Sequence, residues 1–373
     1  MKNQRIRFTV VSNTLSRGGA ERFCSTLLSQ IDRQRFQCSI VLLKNEIEFP
    51  IPEQVEVASV DHRWPWNLLR SIRRLRRAFV EFRPHVVLSS IDYVSQFVGE
   101  AVEGLDSPPA WIARVAENPE RDLGGLKRWV CIRWLNRVFP RAACVVANSQ
   151  GVAETYQRMF KSTRHRLEVI PNPVAIASIQ RRAKESRQPA RSRPRIVVVG
   201  RLSRQKRPDV ALEVANILHG RGEEFVMTFC GDGPLRGALI ESINRKALQG
   251  CVELAGYSPD PYPLMNASDV FLMTSDYEGL PNALLEAQVL GLPAVSTNCP
   301  HGPNEIIVDG ITGYLVSCGD AVEIADRTAE LLRSPGLRSS MGESAAFHAR
   351  RVFDASVVVP EWESILANVA NGV

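Results

Sequence analysis

The sequence predicts an α/β protein built from two doubly wound domains, each a mostly parallel sheet with helices on both faces. Three observations carry this expectation. Short apolar runs alternate with amphipathic stretches along almost the whole chain, and strand–helix alternation of this kind builds parallel sheets. The alternation is broken once, by the polar and strongly basic stretch 179–195, and then restarts. The length of 373 residues suits two domains at about 150 residues each.

In the first half, strands are expected at Ile6–Ser12, Cys38–Leu43, Val55–Val60, His85–Ser90, Ala110–Arg114, Ala143–Ala147 and Leu167–Ile170. Between them, 3.6-residue periodicity predicts helices at Gly19–Ile31, Trp66–Phe82, Tyr93–Val102, Leu126–Phe139 and Gln150–Phe160. This gives a first domain over 1–178. The stretch 179–195, nearly devoid of large apolar residues, has linker composition. A second domain follows over 196–354. Its strands are expected at Ile196–Gly200, Phe225–Cys230, Val252–Ala255, Val270–Met273, Ala294–Thr297 and Gly313–Val316. Its helices are expected at Pro208–His219, Leu235–Ala247, Pro281–Leu290, Ala321–Arg333 and Leu337–Arg350, and a last helix near 355–373 is expected to pack back on the first domain.

Composition narrows the function. With 45% hydrophobic and 23% charged residues, the chain is far from the disordered regime. A net charge of +6 and a pI of about 9.0 suit an anionic partner such as a nucleotide, a nucleic acid or a membrane surface, though ordinary mild basicity explains them equally well. Nucleic-acid binding would account for the charge but not for paired sheets or for the glutamates described below. The eight cysteines form no CxxC pair, and several sit in apolar runs. They read as small core residues in a reducing compartment. MKNQRIRFTVVSN reads as a first strand rather than a leader, and no run approaches the ~18 apolar residues that span a bilayer. A cytoplasmic location is expected, with the inner face of the membrane as an alternative.

Loops after strands should carry the chemistry, because ligands of open α/β sheets sit beyond the carboxyl ends of the strands. Gly18 and Gly19 open the first helix, where free amides favour an anion, or they make only a turn. Arg201 and Lys206 follow the strand that restarts the pattern, and two cations there match a diphosphate. In FCGDGPLRGAL the spacing is GxGxxxG, which is not the dinucleotide fingerprint. Gly231 is read as lining a cleft. Tyr257 borders a nucleobase or simply ends a strand. In TSDYEGLPNALLEAQVL, Glu278 lies in a post-strand loop and Pro281 suits a first helical position. The amides of Leu280 and Asn282 then point from the helix start, and Glu286 lies near the border of the buried face, where a carboxylate needs donors such as ribose hydroxyls. Two stretches, 64–82 and 126–139, read as basic amphipathic helices that lie on anionic lipid or pack on the sheet.

Taken together, GGAER (18–22), VVANSQ (145–150), VIPNPV (169–174), VVGRLSRQKRPD (198–209), GDGPLR (231–236) and SDYEGLPNALLEAQVLGLPAVST (275–297) resemble the family 4 glycosyltransferases, retaining enzymes of GT-B fold. The resemblance covers nearly the whole chain. It implies two Rossmann-like domains facing across a cleft, with acceptor binding in the first and donor binding in the second. Arg201 and Lys206 would neutralise the diphosphate of a nucleotide-sugar, and Glu278 would contact the donor sugar. Glu286 would hold the ribose. Gly18, Gly19, Gly231, Tyr257, Gly279, Leu280 and Asn282 would complete the cradle. No metal and no cofactor are expected beyond the nucleotide-sugar co-substrate, and the acceptor would be a glycan or a lipid-linked glycan. One departure is a missing histidine in WIARVAENPE, where Arg114, Glu117 and Asn118 stand instead; Arg114 or Glu117 would orient the sugar. A non-catalytic binding subunit and a nucleotide-sugar epimerase or hydrolase are the competing readings.

Overall fold

The structure, a computed structural model, describes residues 5–62, 67–116, 118, 125–163, 166–185 and 193–372. The chain divides into two compact units. One is Met1–Pro173 together with Ala355–Val373, and the other is Val174–Asp354.

The first unit holds a seven-stranded sheet in the order β3-β2-β1-β4-β5-β6-β7. The strands are β1 (Ile6–Ser12), β2 (Phe36–Leu42), β3 (Glu56–Ser59), β4 (Val86–Ser89), β5 (Ala110–Val115), β6 (Cys144–Ala147) and β7 (Leu167–Val169), and all neighbours are parallel. A strand covered on both faces is buried at successive positions, which is why β1, β2 and β4 carry runs of consecutive buried residues rather than alternating ones. Where β1 and β2 bury hydroxyls, these satisfy each other: Thr9 Oγ1 and Ser39 Oγ are 2.7 Å apart. The helices are α1 (Gly19–Gln30), α2 (Leu68–Phe82), α3 (Asp92–Glu103), α4 (Gly125–Val138) and α5 (Gln150–Met159). Ser149 caps α5 by accepting from the Val152 amide, a motif that stops the helix from starting earlier.

The last helix, α14 (Ala355–Ala370), belongs to this unit. Trp362 is fully buried with its ring centroid 5.1 Å from that of Phe23 on α1. Glu363 fastens the helix by accepting from the Asp32 amide at 2.8 Å and from Arg35 Nη1 at 2.7 Å.

The two basic amphipathic stretches divide. On α2, Ile72, Leu75, Ala78 and Phe79 are buried in the sheet's core, while Arg70, Arg73 and Arg77 stay outside. Trp64 and Trp66 lie outside the described residues. On α4 only Leu135 and Val138 are buried, and Leu126 and Trp129 are 75% and 60% exposed.

The second unit holds a six-stranded sheet in the order β10-β9-β8-β11-β12-β13. Its strands are β8 (Arg195–Val199), β9 (Val226–Cys230), β10 (Val252–Gly256), β11 (Val270–Met273), β12 (Ala294–Thr297) and β13 (Gly313–Val316), again all parallel. The helices are α6 (Ile176–Ala183), α7 (Pro208–Gly220), α8 (Arg236–Arg245), α9 (Tyr262–Asn266), α10 (Asn282–Val289), α11 (Pro303–Ile306), α12 (Ala321–Arg333) and α13 (Pro335–Phe353).

Two expectations need correction. The stretch read as linker from 179 begins inside α6, and the division between the units falls at Pro173–Val174 instead of 178. Ile176, Ile179 and Ala183 are buried in a cluster with Tyr262 and Met265, and Arg182 stacks over the Tyr262 ring at 4.8 Å while pairing with Asp260. A two-turn helix needs only three apolar residues to dock, and the arginines around them hide the signal. Residues 186–192 lie outside the described residues. The second correction is at Pro281, which precedes α10 in an extended conformation and is not its first residue.

Candidate functional site

In each sheet the strand order reverses beside its first strand, next to β1 and next to β8. Chains leave the strands on either side of such a point toward opposite faces, which opens a crevice at the carboxyl edge. In the second unit that crevice is flanked by the loop after β8 (200–207) and the loop after β11 (274–281).

Five bonds clasp these loops together. The Asp276 amide donates to Gln205 O at 2.8 Å, and Gln205 Nε2 donates to Tyr277 O at 3.0 Å. The buried Thr274 hydroxyl lies 3.1 Å from Lys206 O and 2.9 Å from Arg207 O. Arg207 Nη1 pairs with Asp276 Oδ1 at 3.1 Å. Arg207 takes the left-handed conformation, φ 47°, which turns the chain into α7 directly behind Lys206. The clasp brings Lys206 Nζ to 2.5 Å from Glu278 Oε1. Glu278 is buried, and the Ser275 hydroxyl donates to the same oxygen at 2.6 Å. Two residues singled out from the sequence, 72 positions apart, thus form a direct ion pair. Arg201 is exposed on the same loop.

The neighbouring loops press in through glycines. A Cβ on Gly231 would lie 1.9 Å from Gly200 O, and one on Gly233 would lie 2.5 Å from Leu202 O. The two glycines of GDGPLR are therefore there for close backbone contact with the Arg201 loop, and this accounts for their spacing without a dinucleotide. On the other side the loop after β12 crosses Glu278 and Gly279. The Glu278 amide donates to Pro300 O at 3.1 Å, and a Cβ on Gly302 would stand 2.7 Å from Gly279 O. Leu280 and Asn282 flank Pro281 at the start of α10.

Glu286 sits apart from the ion pair, buried on α10, with the Tyr262 hydroxyl donating to its Oε1 at 3.4 Å. Tyr257 follows Gly256 at the end of β10, about a third exposed (37%). Cys299 lies near this site, and burial pushes its thiol up to about 12, with the Glu278 charge adding to the shift and Lys206 opposing it. A thiol so protonated is no nucleophile at neutral pH. Among the described residues no group of three or more His, Cys, Asp or Glu side chains is placed to hold a metal ion.

The first unit's candidates are differently placed. α1 starts at Gly19, and the Glu21 carboxylate folds back over Gly18, where a Cβ would lie 2.5 Å from Glu21 Oε2. The helix start thus already carries an anion of the protein's own, the arrangement its dipole favours. Arg114 is fully buried. Its Nη1 donates to Ser90 O and its Nη2 to Asn172 Oδ1, both at 2.7 Å, and its guanidinium lies 4.0 Å over the Phe23 ring. It ties β5 to the segments that follow β4 and β7. Glu117 lies outside the described residues.

Sequence reasoning missed Ser275, Thr274, Gln205 and Tyr262. The signal for the first two was present, since a Thr-Ser pair closing the apolar run VFLM is a buried polar pair at a strand's carboxyl end.

Residues 18–173 match the family described as glycosyl transferase 4-like domain, and residues 180–347 match glycosyl transferases group 1. An uncharacterized glycosyltransferase of Methanocaldococcus jannaschii is 26% identical over 255 residues, 65% of this chain and 63% of that protein. The Campylobacter jejuni GalNAc-alpha-(1->4)-GalNAc-alpha-(1->3)-diNAcBac-PP-undecaprenol alpha-1,4-N-acetyl-D-galactosaminyltransferase is 24% identical over 376 residues, 98% of this chain and 99% of that one. Among solved structures, Anabaena HepE in complex with UDP-glucose matches with a TM-score of 0.78 at 18% identity, covering 98% of this chain and 100% of that one. Sucrose-phosphate synthase from Thermosynechococcus elongatus matches with a TM-score of 0.83 at 14% identity, covering 99% and 100%. At these identities the structural likeness speaks for the fold.

Proposed function

This chain belongs to the group 1 glycosyltransferases of GT-B fold, and from that premise we propose that it is a retaining, metal-independent enzyme moving a sugar from a UDP-sugar to a glycan or lipid-linked acceptor in polysaccharide or glycoconjugate synthesis. The observation that carries this reading is the Lys206–Glu278 pair at the crevice of the second sheet. A cation and a carboxylate held side by side suit the two halves of the scissile bond. Lys206 and Arg201 meet charge developing on the diphosphate, and Glu278 accepts a hydrogen bond from a hydroxyl of the sugar. The bond from the anomeric carbon to the β-phosphate oxygen breaks. The acceptor oxygen bonds that carbon on the same face, and its proton passes to the departing phosphate. Glu286 and Tyr257 take the nucleoside, with Glu286 on the ribose, and Gly231, Gly279, Leu280 and Asn282 shape the cradle. UDP is favoured as the nucleotide because the HepE structures hold UDP, UDP with glucose, and UDP-glucose. A lipid-linked acceptor is favoured by the undecaprenol-linked substrate in the Campylobacter relative's name.

Thermal denaturation against UDP-, GDP- and ADP-sugars tests the donor. A ligand at a hundred times its Kd stabilises by about 2.7 kcal/mol, so UDP-sugars should give the largest rise in Tm. No rise with any nucleotide, or an inverted anomeric centre in the product by NMR, would overturn the reading.

We extend the proposal to peripheral membrane contact. No described helix is long and apolar enough to cross a membrane. On α4, however, Leu126, Trp129 and Val130 are exposed beside Lys127 and Arg133, and apolar side chains ringed by cations bind anionic lipid interfaces. In flotation with anionic vesicles at low salt the protein should rise with the lipid, and Trp129→Ala should weaken that binding several-fold. Equal recovery of parent and variant in the lipid-free fraction would reject the contact.

A further inference from the structure

The Glu278 carboxylate takes both of its hydrogen bonds on one oxygen. Lys206 Nζ is 2.5 Å and Ser275 Oγ 2.6 Å from Oε1, and among the described residues nothing bonds Oε2. The two carboxylate oxygens are therefore chemically distinct before any substrate arrives. Oε1 is occupied from within, and Oε2 is left as an acceptor.

The two partners of Oε1 differ in what they can do next. Lys206 is partly exposed, with 28% of its side chain accessible, and stands on a flexible stem, so a diphosphate would draw its charge away from Glu278. Ser275 has no such freedom. It is fully buried, and its own carbonyl accepts from Thr297 Oγ1 at 2.6 Å, which pins the end of β11 to β12. A buried carboxylate that shares its cation with an arriving anion needs another donor to stay aimed.

We infer that Ser275 is a positioning residue for the transfer, keeping the Glu278 carboxylate oriented with Oε2 toward a donor-sugar hydroxyl while Lys206 turns to the diphosphate. This rests on the glycosyl-transfer reading and refines its substrate class. The donor sugar must carry a free hydroxyl at the position Oε2 reaches, and the corresponding deoxy-sugar is a poor substrate.

The test compares Ser275→Ala, Ser275→Cys and Ser275→Thr with the parent. It measures kcat and KM for the UDP-sugar that stabilises the protein best, Kd for UDP alone, and Tm. A hydrogen bond to a charged group lost from a buried site corresponds to roughly a tenfold effect or more. Ser275→Ala should therefore lower kcat about tenfold and leave UDP affinity within about twofold, because UDP carries no sugar for Oε2. Ser275→Cys keeps the volume but offers only a weak donor, and should behave like Ser275→Ala even if the alanine variant folds poorly. Ser275→Thr returns the hydroxyl and should recover most of kcat. Parent-like kcat in both Ser275→Ala and Ser275→Cys overturns the role, as does loss of UDP affinity in step with kcat, the mark of a loop that has merely come loose. Glu278→Gln separates the two readings. If it is inactive while Ser275→Ala turns over normally, only the role of Ser275 falls. If both turn over normally, the glycosyl-transfer site falls with it.

Discussion

Lys206→Ala is expected to cost ~3 kcal/mol of transition-state stabilisation, about a hundredfold or more in turnover. The backbone that carries the cation is held in place, by the Thr274 hydroxyl on the Lys206 carbonyl and by the Gln205 and Arg207 bonds on either side. An ammonium anchored at its base in this way has little to reorganise when charge appears on the leaving group. The fold should survive, because the Lys206 side chain is partly exposed and the clasp is made mostly by backbone groups and neighbouring side chains. Removal does leave buried Glu278 with Ser275 alone, so a modest fall in Tm is expected beside the kinetic loss. Arg201→Ala should cost a similar factor in turnover with less change in Tm, since Arg201 is exposed. A purified, folded Lys206→Ala enzyme with near-parental kcat would remove the electrostatic argument altogether.

Gly231→Ala should destabilise the second unit by about 3 kcal/mol, read as a lower urea midpoint with the slope unchanged. The added carbon would lie 1.9 Å from Gly200 O and 2.8 Å from Gly200 C. No rotamer relieves such a clash, because both partners are backbone. The carbonyl edge of β8 must move, and the Gly200 amide bond to Cys230 O and the Leu202 amide bond to Asp232 O move with it. The shift also displaces Arg201, so activity should fall further than stability alone explains. Gly237→Ala is the control. That residue lies in α8 with nothing within 4 Å of the new carbon, and alanine in an open helical position is favoured by up to about 1 kcal/mol. Equal midpoints for the two variants would show that the close approach of the loops is not what the glycine is for.

The contrast between those glycines also marks what a sequence discloses. Both stand in one short segment, GDGPLRG, and pattern alone does not separate them. Strands were legible because burial on both faces forces unbroken apolar runs, as in RIVVV and VFLM. Lys206 and Glu278 were legible because each follows such a run. Their contact was not, since it depends on how two loops some seventy residues apart meet at the strand-order reversal. α6 was misread because its few apolar residues are diluted by arginines. Arg114, which the resemblance offers in place of a missing histidine, shows what pattern cannot disclose: its guanidinium bonds Ser90 and Asn172 within its own unit.

The C-terminal helix sets an order on biosynthesis. α1 and the strands it covers are made early, but Trp362 and Glu363, which close over Phe23, Asp32 and Arg35, come only after the whole second unit, with Glu363 331 positions beyond Asp32. The second unit, contiguous from Val174 to Asp354, has no such dependence and can finish first. A nascent chain therefore waits with an open apolar face on its amino-terminal portion, and a premature stop near residue 354 would leave that face bare for good, a target for chaperones and proteases in place of a partner helix.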